Sequence, residues 1–137
     1  MKPQDFDFRL YVVSAKDYVR DEDKYQILAD LKAKSEYMER NALKEPQVEL
    51  ELFTGFYDKN GTKIYEGDIL TFEVDSHDMG ILTIAGEVAF KNGRFIIKGY
   101  EHFFPHYSFF DFILRYKGIR IIGNIHENPE LLESLEN

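Results

Sequence analysis

Apolar and polar residues alternate with a period of two in several stretches of the chain, and that alternation predicts strands. Over residues 5–10, Phe6, Phe8 and Leu10 share one face while Asp5, Asp7 and Arg9 share the other, and the strand is expected to continue through Tyr11-Val12-Val13. Ser14-Ala15-Lys16-Asp17 reads as a turn and Tyr18-Val19 as a short return. Residues 48–53 resume the alternation with Val48, Leu50 and Leu52 inward, and residues 69–75 set Leu70, Phe72 and Val74 against Thr71 and Glu73. Residues 81–91 and 94–98 flank Asn92-Gly93, a dipeptide suited to the type I′ turn that matches strand twist. Gly86 inside the first arm predicts a bulge or a sharp bend. Residues 119–125 supply a final strand. The expected core is Phe8, Leu50, Leu52, Ile69, Phe72, Val88, Phe90, Phe95, Ile97 and Ile122.

Between the first strands and the rest, the period changes. Ile27, Leu28, Leu31, Met38 and Ala42 follow steps of three and four, interrupted by Lys34 and Ser35, so residues 21–44 predict a helical insertion with a narrow apolar stripe. Asp30 with Lys34, and Glu36 with Arg40, are opposite charges one helical turn apart. Asp21 and Asp23 suit the helix N-terminus, and Pro46 prevents continuation. Ser108 and Asp111 weakly resemble a capping box that opens a short helix through Tyr116, and Asn128 as N-cap with Pro129 at the first helical position opens a terminal turn or helix through Leu135. With no internal repeat and no linker, residues 1–137 are expected to form one domain.

Residues 53–70 organise the rest: Phe53-Thr-Gly-Phe-Tyr-Asp-Lys-Asn-Gly-Thr-Lys-Ile-Tyr-Glu-Gly-Asp-Ile-Leu70. Asp58-Lys59-Asn60-Gly61 offers a reversal, and Glu66-Gly67-Asp68 a second break before a new strand. Gly61 and Gly93 should both adopt positive φ. This block, together with Ile122-Gly-Asn-Ile-His-Glu-Asn-Pro-Glu-Leu-Leu132 and the opening strand Phe6 to Tyr11, resembles the YopX family of phage and prophage proteins. The resemblance implies a small, mainly β protein with a YopX-like barrel, encoded by mobile elements, and it carries over no activity and no site residue. Residues 14–46 depart from the family pattern, so the charged helix rests on physics alone. Gly67-Asp-Ile-Leu70 followed by Gly86-Glu-Val88 also resembles the second and third strands of SH3-like barrels, some of which bind nucleic acid.

Composition narrows the chemistry. The chain has no cysteine, which removes disulfides, thiolate metal sites and Cys nucleophiles. Its 25 acids against 17 bases give a net charge of -8, which disfavours a duplex-binding surface because phosphate affinity rests on Lys and Arg. No apolar run approaches the length of a membrane span, and a cytoplasmic location in a bacterial host is expected.

His102 and His106 stand four apart, but Pro105 between them opposes a helix turn, and on a strand they would lie about 13 Å apart, too far to share an ion. Asp75, His77 and Asp78 read as a solvated loop tip rather than a general-base cluster. Gly55, Gly61 and Gly67 are turn residues with no phosphate-binding fingerprint. The chain therefore reads as non-enzymatic, with no metal, no cofactor and no catalytic residue. Aromatics make up 15% of the sequence, and the run Phe103, Phe104, Tyr107, Phe109, Phe110 and Phe112 exceeds what one small barrel needs. With Leu31 and Met38 on the helix, Phe103, Phe104, Tyr107 and Phe109 are the candidate interface for a homo-oligomer or another protein partner. Lys91, Arg94 and Lys98 form the alternative, a basic edge for nucleic acid.

Overall fold

The computed structural model describes residues 2–41, 47–100 and 118–133. The chain divides into two compact units, one formed by Asp7–Leu52 and the other by Met1–Phe6 with Phe53–Asn137. Among the described residues, eight strands and two α-helices make it mainly β, as the alternation predicts.

In the Asp7–Leu52 unit, β1 (Phe8–Val12) pairs with the two-residue β2 (Asp17–Tyr18) across the expected turn, where Lys16 takes a φ of 54°. On its other side β1 pairs antiparallel with the first half of β3 (Val48–Tyr57), Leu10 opposite Leu50 and Arg9 opposite Glu51. Helix α1 (Lys24–Arg40) belongs to the same unit, so the predicted insertion folds together with the opening strands. It packs against β1.

The second half of β3 turns back on β4 (Lys63–Tyr65), with a register shift between Phe53 and Tyr57. Gly55 sits in that irregularity at a φ of 88°, and the Thr54 hydroxyl stitches it by donating to the Ile64 carbonyl at 2.8 Å. Next come β5 (Asp68–Ser76), β6 (Gly80–Lys91), β7 (Arg94–Ile97) and β8 (Arg120–Asn124), all antiparallel in the order β7-β6-β5-β8. This sheet curls into a half-barrel. Ile64, Leu70, Phe72, Val88, Ile97 and Ile119 form its core, flanked by half-buried Phe56, Val74, Ile84, Phe95, Tyr100 and Ile121. Each fully buried side chain of this kind contributes about 1.5–3 kcal/mol. A four-residue helix, α2 (Glu130–Glu133), closes the described chain.

The turns follow the sequence closely. Gly61 and Gly93 adopt φ of 81° and 80°, and Asn92 joins Gly93 with a φ of 54°, as a type I′ turn requires. The Asp58 carboxylate holds the first reversal together. One oxygen accepts the amides of Asn60 and Thr62, each at 2.9 Å, and the other accepts the Ile121 amide of β8 at 3.2 Å.

Four expectations need correction. Leu50 and Phe90 are each 45% exposed instead of belonging to the core. Phe90 lies next to the β6–β7 turn and packs edge-on against its cross-strand partner Phe95, with centroids 5.0 Å apart. Gly86 makes no bulge, because the β5–β6 register runs through it unbroken; it is there because a Cβ would come within 2.4 Å of Ile97 Cγ2. The Asn128 side chain does not cap the last helix. It accepts the Asn124 amide at 3.3 Å, while the Asn128 backbone carbonyl receives the Leu131 amide.

Two predictions follow from the turns and the close approach. A Cβ on Gly61 or Gly93 would meet nothing within 4 Å, so Gly61→Val and Gly93→Val should each cost about 1–2 kcal/mol in chemical denaturation, purely from the left-handed backbone. Gly86→Ala has no such backbone cost but must displace a buried isoleucine, and it should be more damaging than Gly93→Ala.

The third prediction concerns acid. Burial raises the Asp58 pKa, but the amides of Thr62, Ile121 and Asn60 and the nearby Lys59 charge outweigh it and hold the group below its ordinary 3.8. A depressed folded pKa gives stability that is present above 3.8 and lost as pH falls through the lower folded value. Wild type should therefore lose stability below pH 3.8 more steeply than Asp58→Ala, as read by urea midpoints across that window.

Candidate functional site

The Asp7–Leu52 unit builds a surface from two opposite treatments of charge. Cross-strand partners point to the same side of a sheet, so Phe8, Leu10 and Val12 lie with Leu52, Leu50 and Val48 on one face, and Arg9 and Tyr11 with Glu51 and Glu49 on the other. On the second face Glu51 is only 3% exposed. It accepts Arg9 Nε at 2.7 Å and the Tyr18 hydroxyl at 2.8 Å, and the Arg9 guanidinium lies over the Tyr18 ring. An acid that the alternation assigns to solvent is thus a structural post, tolerated because its charge is met.

On the first face the helix covers Leu10, which is buried, but leaves Leu50 open. The stripe of α1 is too narrow to span the strands. Leu28, Leu31, Lys32, Ser35 and Glu36 form one wall and Leu10, Val48 and Leu50 the floor of a groove of about 280 Å³. The helix is pinned beside it by Lys24, its one buried residue, only 4% exposed. Lys24 Nζ donates to Asp7 Oδ1, to the Phe8 carbonyl at 2.9 Å, and pairs with Asp21 at 3.1 Å. Burial would lower its pKa, but the two carboxylates more than compensate and leave it raised. A lysine held charged in this way is an anchor and not a nucleophile.

In the other unit, Lys91 lies opposite Arg94 beside the β6–β7 turn, and the alternation places Lys98 on the face of Arg94. The three cations of the alternative edge are therefore exposed on one side of a hairpin, and Glu87 shares that side with them. Asp75 and His77 lie at and beside the β5–β6 hairpin end, with Asp78 in the turn, and all three are exposed. Of the candidate interface, Leu31 and Met38 are half-buried on α1, and only Leu31 reaches the groove. Phe103, Phe104, Tyr107 and Phe109 lie outside the described residues, as do His102 and His106 and the helix expected from Ser108. Among the described residues, no helix is long and apolar enough to cross a membrane.

The chain matches the YopX protein family over residues 7–133. It belongs to the YopX family. No curated protein matches it. It is also similar to protein EF1440 from Enterococcus faecalis, known from a crystal structure, at 36% identity; the match covers 65% of this chain and 58% of that one, with a TM-score of 0.47.

The YopX match takes in both the groove and the basic hairpin, and the block at residues 53–70 on which the sequence resemblance rests has structural work. Asp58 ties a turn to β8, Asp68 accepts the Tyr65 amide at 2.8 Å, and Gly67, at a φ of 85°, donates to the Val88 carbonyl. Spacing gives no signal for Lys24 or Glu51, and it places Leu50 in the core instead of on the groove floor. The available signal was Arg9 and Glu51 as opposite charges on adjacent strands.

Removing the Lys24 ammonium takes away the buried cation that Asp7 and the Phe8 carbonyl meet. Lys24→Met should cost roughly 3 kcal/mol, with partial recovery in Lys24→Met/Asp7→Asn, measured by denaturant unfolding. Because the folded pKa is raised, the lysine's contribution is full below 10.5 and lost as pH rises through the folded value, so the wild-type advantage should shrink in strong alkali.

Proposed function

We propose that this YopX protein is a non-enzymatic accessory protein of a phage or prophage that works by binding protein, including its own copies, in the bacterial cytoplasm. The observation that carries this reading is the groove beside α1, where Leu50 is 45% exposed on a face that the strand pattern marks as apolar. Open apolar surface of this kind favours a protein partner, because burying it gains roughly 25 cal/mol per Å² before the costs of association. Soluble homo-oligomers usually close with symmetry.

The second reading is nucleic-acid binding through Lys91, Arg94 and Lys98, favoured by their common face. Glu87 on that face and a net charge of -8 weigh against it.

Sedimentation at micromolar concentration tests the first reading, with the expected result a species at a multiple of 16.2 kDa. A single species at the chain mass overturns self-association. Filter binding of single- and double-stranded DNA and RNA at low and moderate salt should give no retention. Retention that falls steeply with salt would replace the first reading with the second.

A further inference from the structure

Leu28, Leu31, Lys32, Ser35 and Glu36 follow the i, i+3, i+4, i+7, i+8 spacing of a single helical face, and together they are the helix wall of the groove. Lys32 and Glu36 stand on its rim, and neither has an ion-pair partner among the described residues. They lie one turn apart, about 6 Å along the axis. That spacing has a consequence for symmetry. If two copies of α1 run antiparallel about a two-fold axis level with residue 34, Lys32 of each copy stands level with Glu36 of the other. The surface is thus complementary to itself in one orientation and not in the parallel one, where Lys32 would face Lys32 and Glu36 would face Glu36.

The charge balance of the molecule points to the same place. Copies of a chain with net charge -8 repel one another over most of their surface. Helix α1 holds four bases (Lys24, Lys32, Lys34 and Arg40) against three acids (Asp30, Glu36 and Glu39), which leaves it close to neutral. It is an element on which a second copy can settle without meeting that repulsion. The apolar floor supplies the contact area, while the charge pairs, worth little individually, fix the direction.

We propose that the occupant of this groove is a second copy of the chain, seated with its α1 antiparallel and its Lys32 and Glu36 paired crosswise. The inference rests on the self-association reading and names its surface. The two-fold doubles every contact, so one substitution alters two pairs.

A charge swap read by sedimentation equilibrium tests it. Lys32→Glu sets acid against acid twice, and Glu36→Lys sets base against base twice. Each alone should weaken the dimer by at least about tenfold, while Lys32→Glu/Glu36→Lys should return it to within about threefold of wild type. Thermal unfolding of all three variants should stay near wild type, because both side chains are exposed. A monomeric wild type overturns the self-association reading and this assignment with it. A wild-type oligomer indifferent to both single changes overturns only the assignment. Weakening by both without recovery in the double variant overturns the antiparallel pairing.

Discussion

The larger unit depends on what one carboxylate does at the end of β3. Asp58 closes a local turn with one oxygen and reaches a strand 63 residues later with the other. Its backbone shares in the same knot: the Asp58 amide donates to the Thr62 carbonyl, and the neighbouring Lys59 amide donates to the Ile119 carbonyl. The charge is therefore met by oriented backbone donors and not by a salt bridge, which makes the turn geometry and the docking of β8 one event. Ile64 and Ile119, on either side of this knot, enter the same core as Leu70, Phe72 and Val88. A residue without a side-chain acceptor at position 58 would leave three amides unmet while the hydrophobic core remained nominally intact.

The smaller unit solves a different problem, since a five-residue strand and a narrow helix offer little apolar area. It relies on buried charge met from several sides. Lys24 has two carboxylates and a carbonyl; Glu51 has a guanidinium and a hydroxyl. Paired buried charges fix position more than they add stability. The consequence is geometric. Lys24 holds the helix start over β1, and the same face of the sheet around Leu50 on β3 stays uncovered.

These two devices explain what the sequence disclosed. Reversals were legible because Asn92-Gly93 and Asn60-Gly61 carry a local conformational demand that no tertiary contact has to supply. Strand faces were legible too, since Phe8 and Leu10 do share a side with Leu50 and Leu52. Coverage was not. Alternation assigns residues to faces but cannot say how far a helix extends across one, so Leu50 was placed inside and Glu51 outside, the reverse of what the fold does. Phe90 failed for the same reason, at a hairpin end beyond the reach of the core. Gly86 shows a further gap: a side chain of one strand closely approaching the backbone of its neighbour looks the same, in sequence, as a bulge. Of the candidate interface residues, Leu31 lines the groove, whereas Lys32 and Glu36 beside it carry no signal of their own because a charged rim and a solvated face have the same spacing.

The division of labour bears on where function should be sought. The block at residues 53–70 is committed to turns, a bulge and a carboxylate knot, and substituting it would damage folding before it touched any activity. Loss of function there is consequently uninformative about mechanism. The outer side chains of α1 are different: exposed, close to neutral in sum, and held by an anchor at one end of the helix. Changes at positions such as 32 and 36 leave Lys24, Glu51 and the strand register untouched, so an effect on assembly can be assigned to the surface itself. The acidic remainder of the molecule sharpens that assignment, because contacts formed elsewhere between copies would have to overcome repulsion that this face does not present.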